Sequence, residues 1–206
     1  MAPKPCVREK TRDTCAAHIA AHTHSLTPLS QLLLGDSHTE RLIWRFPSLA
    51  PQNTWLCGVG GDRLSQLAWR VANPDSQGYT QHPALATAEF ARIGIMIGTN
   101  DILDTQMTRK QVGAMVAKVE AMVAKVRERW PGALVTVFPI PPLPTRGRQV
   151  RDQKSVDTYN EGLKECGLVT VDWPEMDLDA DYEDDVHLSD TGYAKWREMI
   201  RVAGFQ

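Results

Sequence analysis

Four short polar segments contain the side-chain types that acyl transfer needs. They are Gly35-Asp36-Ser37-His38, Gly58-Val59-Gly60-Gly61-Asp62, Gly98-Thr99-Asn100-Asp101 and Asp184-Asp185-Val186-His187. A serine hydroxyl becomes a good nucleophile when a base removes its proton, and a histidine oriented by a carboxylate is the usual base. The tetrahedral intermediate also needs donors for its oxyanion, typically backbone N–H groups and an Asn amide. The four segments together supply every one of these parts.

The spacing within the segments predicts a role for each residue. Ser37 is the candidate nucleophile, His187 the base and Asp184 its orienting carboxylate, with Gly61 N–H and the Asn100 amide as oxyanion donors. Two alternatives stay open, which are His38 as the base and Asp185 as the carboxylate. Because neighbouring side chains on a turn diverge, His187 is preferred to His38. The spacing of three residues favours Asp184, and Asp185 is expected to be solvated or to cap the helix after it.

These segments can meet only if the elements before them end at the same edge of a sheet. Continuous apolar runs predict five buried strands, and amphipathic or polar stretches between them predict helices. In open α/β sheets, ligands bind at the carboxyl ends of the strands. The sequence therefore predicts a three-layer α/β sandwich with a five-stranded, mostly parallel sheet. The expected strands are 31–34, 53–57, 93–97, 134–140 and 168–171, and the expected helices are 63–71, 108–130, 155–166 and 191–202.

The four segments, in this order, resemble the signature blocks of the SGNH (GDSL-type) hydrolases, whose fold is flavodoxin-like. The stretch from Gly58 to Leu64, continuing to Leu67-Ala68-Trp69-Arg70, is similar to the platelet-activating-factor acetylhydrolase catalytic-subunit branch. The resemblance covers roughly residues 30 to 200. It implies the same roles for Ser37, Asp184, His187, Gly61 and Asn100, and it adds Ser37 N–H as an oxyanion donor. It further implies no metal or organic cofactor, and a homodimer as an alternative to a monomer.

Residues 1–28 differ in composition from the rest and are expected to form an N-terminal tail or a loosely packed helix. Residues 29–206 are expected to form the hydrolase domain. The tail contains His18, His22 and His24, and two histidines four residues apart on a helix share a face. Since no carboxylate or cysteine joins them at a suitable spacing, a metal site is disfavoured.

Composition excludes several other classes of function. The formal net charge of −2 gives no basic footprint for nucleic acid, and no apolar run reaches the roughly 20 residues of a membrane span. The four cysteines are scattered, which predicts free thiols. No continuous apolar stretch follows the basic residues near the N-terminus, so a secretory signal is not expected. A cytoplasmic location is expected instead. A dinucleotide loop at 58–63 is disfavoured because Arg63 stands where the third glycine is needed.

The sequence therefore predicts a serine esterase that hydrolyses carboxylic esters with short acyl groups, such as acetyl. A carbohydrate or lipid deacetylase, a thioesterase and a lysophospholipase are alternatives on the same site, so the partner is a small-molecule, lipid or carbohydrate ester. A binding module that kept the fold without turnover is an alternative of another class. Loops around 73–88 and 141–152 are expected to lie over the site. The second loop contains Arg146, Arg148 and Arg151, which could meet an anionic head group.

Overall fold

The computed structural model describes residues 8–23, 30–73, 77–144, 151–169 and 171–206. Strands and helices alternate along this part of the chain. The strands are β1 (Gln31–Gly35), β2 (Thr54–Gly58), β3 (Arg92–Met96) and β4 (Leu134–Val137). The helices are α1 (Glu9–Thr23), α2 (Ser37–Trp44), α3 (Leu64–Val71), α4 (Arg109–Arg129), α5 (Gln153–Glu165) and α6 (Asp190–Val202).

The four strands form one parallel sheet in the order β2-β1-β3-β4. The chain moves from β1 to one neighbour and later returns to the other side, so the strand order reverses between β1 and β3. Crossovers between parallel strands are right-handed, which sends α2 to one face and the helices α3 and α4 to the other. The result is the predicted three-layer α/β sandwich. The carboxyl ends of β1 and β3 lie at the switch point, where such sheets open a crevice.

The predicted fifth strand at 168–171 is wrong for the residues that can be described there. Leu168, Val169 and Val171 have no strand conformation, and Thr170 lies outside the described residues. Among the described residues, one backbone hydrogen bond, from Val137 N–H to Leu168 O at 3.1 Å, joins this segment to β4. The ladder cannot continue because Pro139 has no N–H to donate and Phe138 N–H is already bonded to Ile95 O. Within the described residues, the sheet therefore has four strands rather than the predicted five.

Apolar burial explains why β1 stands in the centre of the sheet. Every residue of β1 is buried, which suits a strand covered by helices on both faces. The long helix α4 presents a buried stripe at spacings of three and four residues, which comprises Val112, Met115, Val116, Val119, Met122, Val123 and Val126. Thr108 caps this helix and exchanges hydrogen bonds with Gln111. Trp130 ends it with a ring that is almost fully buried.

Helix α1 lies in the segment that was expected to be a tail or a loosely packed helix. It contributes three almost fully buried side chains, Thr11, Cys15 and Ile19. Cys15, Cys57 and Cys166 are free thiols, and Cys6 lies outside the described residues. No helix in the described ranges combines the length and the apolarity needed to cross a membrane.

Candidate active site

Ser37 is the first residue of α2, directly beyond the carboxyl end of β1. Asp36 caps this helix, and its carboxylate accepts a hydrogen bond from His38 N–H at 3.0 Å. Helix α2 packs so tightly on the end of β2 that a side chain at Gly58 would collide with the backbone of Glu40. The sheet therefore fixes the start of α2, where free N–H groups and the helix dipole favour negative charge.

His187 brings the last predicted segment to Ser37 across 150 residues of sequence. Its Nε2 lies 2.9 Å from Ser37 Oγ, and its Nδ1 lies 2.7 Å from Asp184 Oδ2. Asp184 also accepts hydrogen bonds from the backbone N–H groups of Val186 and His187, at 2.8 and 2.6 Å. Partial burial alone would raise the pKa of Asp184, but these hydrogen bonds outweigh it and hold the pKa below its usual value. The carboxylate is therefore ionised beside the imidazole.

His38, the alternative base, occupies a different environment. Its ring is fully buried, and neither ring nitrogen has a hydrogen-bond partner in the part of the chain that is described. Burial, followed by the nearby His187 and Arg41, lowers the pKa of His38 to about 3. The ring is consequently neutral, and its centroid lies 5.7 Å from that of His187. The geometry thus pairs Ser37 with His187 and not with His38.

Gly61 and Asn100, the predicted oxyanion donors, lie in two loops that are joined to each other. Gly61 has a φ of +76°, in the left-handed region that glycine adopts without strain. Asn100 Nδ2 donates to Asp62 O at 2.9 Å. Asp101 Oδ2 accepts from Leu64 N–H at 2.8 Å, and this bond ties the loop after β3 to the start of α3. The two loops therefore form one hydrogen-bonded unit beside the start of α2.

Arg70 and Asp62 form a buried ion pair behind this unit, which the sequence did not reveal. Both side chains are fully buried, with Arg70 Nε 2.8 Å from Asp62 Oδ2. The remaining nitrogens of Arg70 donate to Gly35 O at 2.7 Å, to Cys57 O at 2.8 Å and to the Tyr79 hydroxyl at 3.1 Å. One guanidinium therefore joins the ends of β1 and β2 to the loop that contains Gly61. One sequence signal could have predicted that Arg70 is buried. It follows Leu67 by three residues and so lies on the apolar face of α3.

Arg41 is a second site residue that sequence reasoning missed. It lies one helical turn after Ser37, forms an ion pair with Glu183 and places Nη2 3.7 Å from Asp184 Oδ2. Helix α2 is thereby linked to the segment that contains Asp184 and His187. The following helix, α6, has Ser189 as its N-cap, so Asp185 does not cap it.

The histidines of the N-terminal segment do not assemble into a metal site within the described residues. His18 Nδ1 lies 3.0 Å from the Tyr79 hydroxyl. The side chains of His22 and His24 lie outside the described residues. Among the residues that were described, no three His, Cys, Asp or Glu side chains are grouped as metal ligands.

The arginines of the loop at 141–152 can be described only in part. Arg146 and Arg148 lie outside the described residues, and Arg151 donates a hydrogen bond to Ile102 O at 2.8 Å.

The side chains described above lie together at the switch point of a parallel α/β sheet. The chain belongs to the GDSL-like lipase/acylhydrolase family, whose model matches residues 33–195. Among curated protein sequences, none matches this chain.

Solved structures share the same fold at low sequence identity. A Streptococcus pneumonia protein, provisionally assigned as a platelet activating factor, is 17% identical, with a TM-score of 0.68 over 94% of this chain and 92% of that one. A lipase/acylhydrolase from Enterococcus faecalis is 18% identical, with a TM-score of 0.59 over 84% of this chain and 93% of that one. An acetylxylan esterase from Geobacillus stearothermophilus is 16% identical, with a TM-score of 0.56 over 85% and 94% of the two chains.

Asp36, beside Ser37, carries a carboxyl group in an unusual environment. The residue is 1% exposed, and its Oδ2 has no hydrogen-bond partner among the described residues. Burial raises the pKa of Asp36 to about 7, although the hydrogen bond from His38 N–H opposes the rise. In the unfolded chain the carboxyl ionises near pH 4. The folded protein therefore holds this proton over a pH range in which the unfolded chain releases it, and the stability that Asp36 contributes falls as the pH rises from about 4 to 7.

Replacing Asp36 by asparagine is expected to remove the decrease in stability that the wild-type protein shows as the pH rises from about 4 to 7. The amide oxygen can still accept the hydrogen bond from His38 N–H, and the side chain cannot ionise. Relative to the wild-type protein, Asp36→Asn should gain free energy of unfolding of about 3–4 kcal/mol between pH 4 and pH 7.5, because each unit of pKa difference is worth about 1.4 kcal/mol. Urea denaturation at several pH values measures this difference. Parallel pH profiles for the two proteins would show that the folded carboxyl ionises normally.

Proposed function

We propose that this protein is a serine esterase that hydrolyses carboxylic esters through an acyl-enzyme on Ser37. The observation that carries the proposal is the continuous chain from Ser37 Oγ to His187 and from His187 to Asp184, at 2.9 and 2.7 Å. A hydroxyl within hydrogen-bond reach of an imidazole that is itself oriented by a carboxylate is the arrangement that activates a serine nucleophile. Membership of an acylhydrolase family supports the same reaction class.

Acylation begins when Ser37 Oγ attacks the ester carbonyl carbon and His187 Nε2 takes the hydroxyl proton. Asp184, held ionised by its hydrogen bonds, stabilises the imidazolium that forms. The oxyanion of the tetrahedral intermediate receives hydrogen bonds from Ser37 N–H at the start of α2, from Gly61 N–H and from Asn100 Nδ2. His187 then gives the proton to the departing alkoxide, which leaves as the alcohol.

Deacylation repeats the same steps with water as the nucleophile. His187 removes a proton from water, which attacks the acyl carbon, and the collapse of the second intermediate returns the proton to Ser37 Oγ. Asn100 Nδ2 donates to Asp62 O in the free protein. Catalytic hydrogen bonds often align only when the reacting group is bound, and the amide can turn to an oxyanion from this position.

The proposed substrates are esters of short acyl groups, such as acetyl. The Geobacillus stearothermophilus protein of the same fold is an acetylxylan esterase, which supports an acetyl group as the starting hypothesis. A carbohydrate or lipid deacetylase, a thioesterase and a lysophospholipase would use the same proton transfers and differ in leaving group or acyl length. A non-catalytic binding module would lack turnover altogether.

Covalent labelling with a fluorophosphonate probe tests the proposal. Ser37 Oγ attacks phosphorus and displaces fluoride, so the peptide that contains Ser37 should gain the mass of the probe in an equimolar reaction. Ser37→Ala should not be labelled, whereas Ser65→Ala, at an exposed serine of α3, should be labelled like the wild-type protein. Absence of labelling in the folded wild-type protein, or labelling that persists in Ser37→Ala, would overturn the proposal.

A further inference from the structure

Helix α1 and the residue before it contact the loop that contains Gly61. Thr11, on the first turn of α1, is fully buried, and its Oγ1 donates to Asp62 Oδ1 at 2.7 Å. Arg8 Nη2 donates to the same oxygen at 2.6 Å and to Gly60 O at 3.3 Å. Lys10 Nζ reaches Gly60 O at 3.4 Å and pairs with Glu40 of α2 at 3.0 Å. The N-terminal segment is therefore hydrogen-bonded to this loop.

Asp62 has every polar group engaged, and the N-terminal segment supplies two of the three hydrogen bonds to its side chain, one from Thr11 of α1 and one from Arg8. Oδ1 accepts from Thr11 and Arg8, and Oδ2 accepts from Arg70. Its backbone N–H donates to Val59 O at 3.1 Å, and its carbonyl accepts from Asn100 Nδ2 at 2.9 Å. The peptide that follows Gly61 is consequently held from both sides, by α1 through Oδ1 and by α3 through Oδ2.

We infer that Thr11 and Arg8 are positioning residues for the oxyanion donors, and that α1 is a working part of the active site. The inference rests on the proposed function, since it assigns a purpose to the loop that contains Gly61. Helix α1 lies outside the part of the chain that matches the family model, which begins at residue 33. Without the donors on Oδ1, Asp62 would keep its bond to Arg70 but could rotate about it. That rotation would turn Gly61 N–H and release the Asn100 amide.

Arg8 also restricts the space above the loop. A side chain at Gly61 would meet Arg8 Nη1 at 2.9 Å, so the guanidinium lies directly against the glycine. Arg8 remains 40% exposed and is neutralised in part by Asp62. Oxyanion donors act through exact placement, and a misplacement of about 1 Å costs roughly 10²-fold in rate. A partial loosening of the loop should therefore be visible in kcat.

The variant Thr11→Val tests the inference because valine keeps the shape of threonine and removes the hydroxyl. We expect kcat for p-nitrophenyl acetate to fall by about 10- to 100-fold, with KM changed by less than about twofold. Thr11→Ser retains the hydroxyl and should restore most of kcat. A tetrahedral boronic acid inhibitor should bind Thr11→Val more weakly by about the same factor, since it uses the same donors.

Ile19→Ala is the matched control, because Ile19 is buried on the same helix eight residues after Thr11, about 12 Å along the helix axis. It should lower the midpoint of urea denaturation and leave kcat within about twofold of the wild-type value when the protein is folded. Equal loss of kcat in Ile19→Ala and Thr11→Val would overturn the inference, as would an unchanged kcat in Thr11→Val. If Thr11→Val does not fold, Arg8→Met, at a half-exposed position, gives the same test.

The two proposals fail in different ways. Hydrolysis that persists in Ser37→Ala would overturn the proposed function and this inference with it. Hydrolysis that depends on Ser37 but is insensitive to Thr11→Val, or to Arg8→Met where Thr11→Val does not fold, would overturn the inference alone.

Discussion

Replacing Ser37 by alanine is expected to lower kcat for p-nitrophenyl acetate by about 10⁵-fold to 10⁶-fold. The hydroxyl oxygen is the atom that would form the acyl-enzyme, and the adjacent His38 is a poor substitute for it. His38, the next residue, has a buried ring with a lowered pKa and no hydrogen-bond partner among the described residues. Ser37 is half-buried at the first position of α2, so loss of one oxygen there should leave the fold intact.

The same assay shows whether Ser37 and His187 act together in catalysis or contribute to the rate independently. His187→Ala should lose nearly as much activity as Ser37→Ala, and the double variant should lose no more than either, since nucleophile and base act together. Ser65→Ala is the control at an exposed serine and should retain wild-type activity. An activity of Ser37→Ala within about tenfold of the wild-type value would contradict a serine mechanism.

Measuring the wild-type protein on esters of increasing chain length in this assay identifies the substrate class. For a short-acyl esterase, kcat/KM should be highest for p-nitrophenyl acetate and fall for butyrate and octanoate. A maximum at octanoate would favour a lysophospholipase, and a preference for acyl thioesters would favour a thioesterase. Ser37→Ala serves as the blank for each substrate, because p-nitrophenyl esters also hydrolyse without an enzyme.

The sequence alone predicted most of the architecture and the grouping of the candidate site. The predicted strands at 31–34 and 93–97 are largely apolar runs, each followed by a glycine, a pattern that is typical of a buried strand. Because parallel strands end at one edge of the sheet, polar residues after different strands could be expected to meet. The prediction that Ser37 and His187 lie together rested also on the spacing of Asp184 and His187, because the segment 184–187 precedes the last helix and does not directly follow a strand.

The fifth strand failed because apolarity does not guarantee a hydrogen-bonding partner. Leu168 and its neighbours have the composition of a strand, but the adjacent β4 ends at Val137, before Pro139. A strand at this edge would need backbone donors that the proline-rich segment lacks. The same prolines end β4 three residues earlier than the apolar run at 134–140 suggested.

The network around Asp62 could not be predicted because its members are distant in sequence and individually unremarkable. Thr11 and Asp62 are 51 residues apart, and Arg70 lies 35 residues after Gly35, whose carbonyl it binds. Buried arginines are rare, so an arginine on a helix is expected at the surface unless a partner is known. Helix α1 was set apart for the same reason, since its composition gives no clear apolar period, and the polar contacts of Thr11 and Arg8 add to the burial of only two apolar side chains among the described residues, Cys15 and Ile19.

Replacing Arg70 by methionine is expected to lower the free energy of unfolding by about 3–5 kcal/mol. Methionine fills similar space but donates no hydrogen bond. Asp62 would then keep a buried charge paired, among the described residues, with the half-exposed Arg8 alone, and the carbonyls of Gly35 and Cys57 would lose their donor in the core. Urea denaturation followed by tryptophan fluorescence or circular dichroism measures the loss. Arg201→Met is the matched control, because Arg201 pairs with Glu198 at the surface, and its denaturation midpoint should barely change.

Adding Asp62→Asn to Arg70→Met shows how much of the stability loss comes from the buried charge of Asp62 and how much from the lost contacts of Arg70. If the uncompensated carboxylate causes most of the loss, the double variant should be about 1–2 kcal/mol more stable than Arg70→Met alone. Simple addition of the two single losses would instead show that Arg70 stabilises the fold through the strand-end carbonyls. Either way, a loss of less than about 1 kcal/mol in Arg70→Met would contradict a structural role for the buried pair. The ends of β1 and β2 and the loop that contains Gly61 share this one guanidinium, so the stability of the fold and the geometry of the site depend on the same contacts.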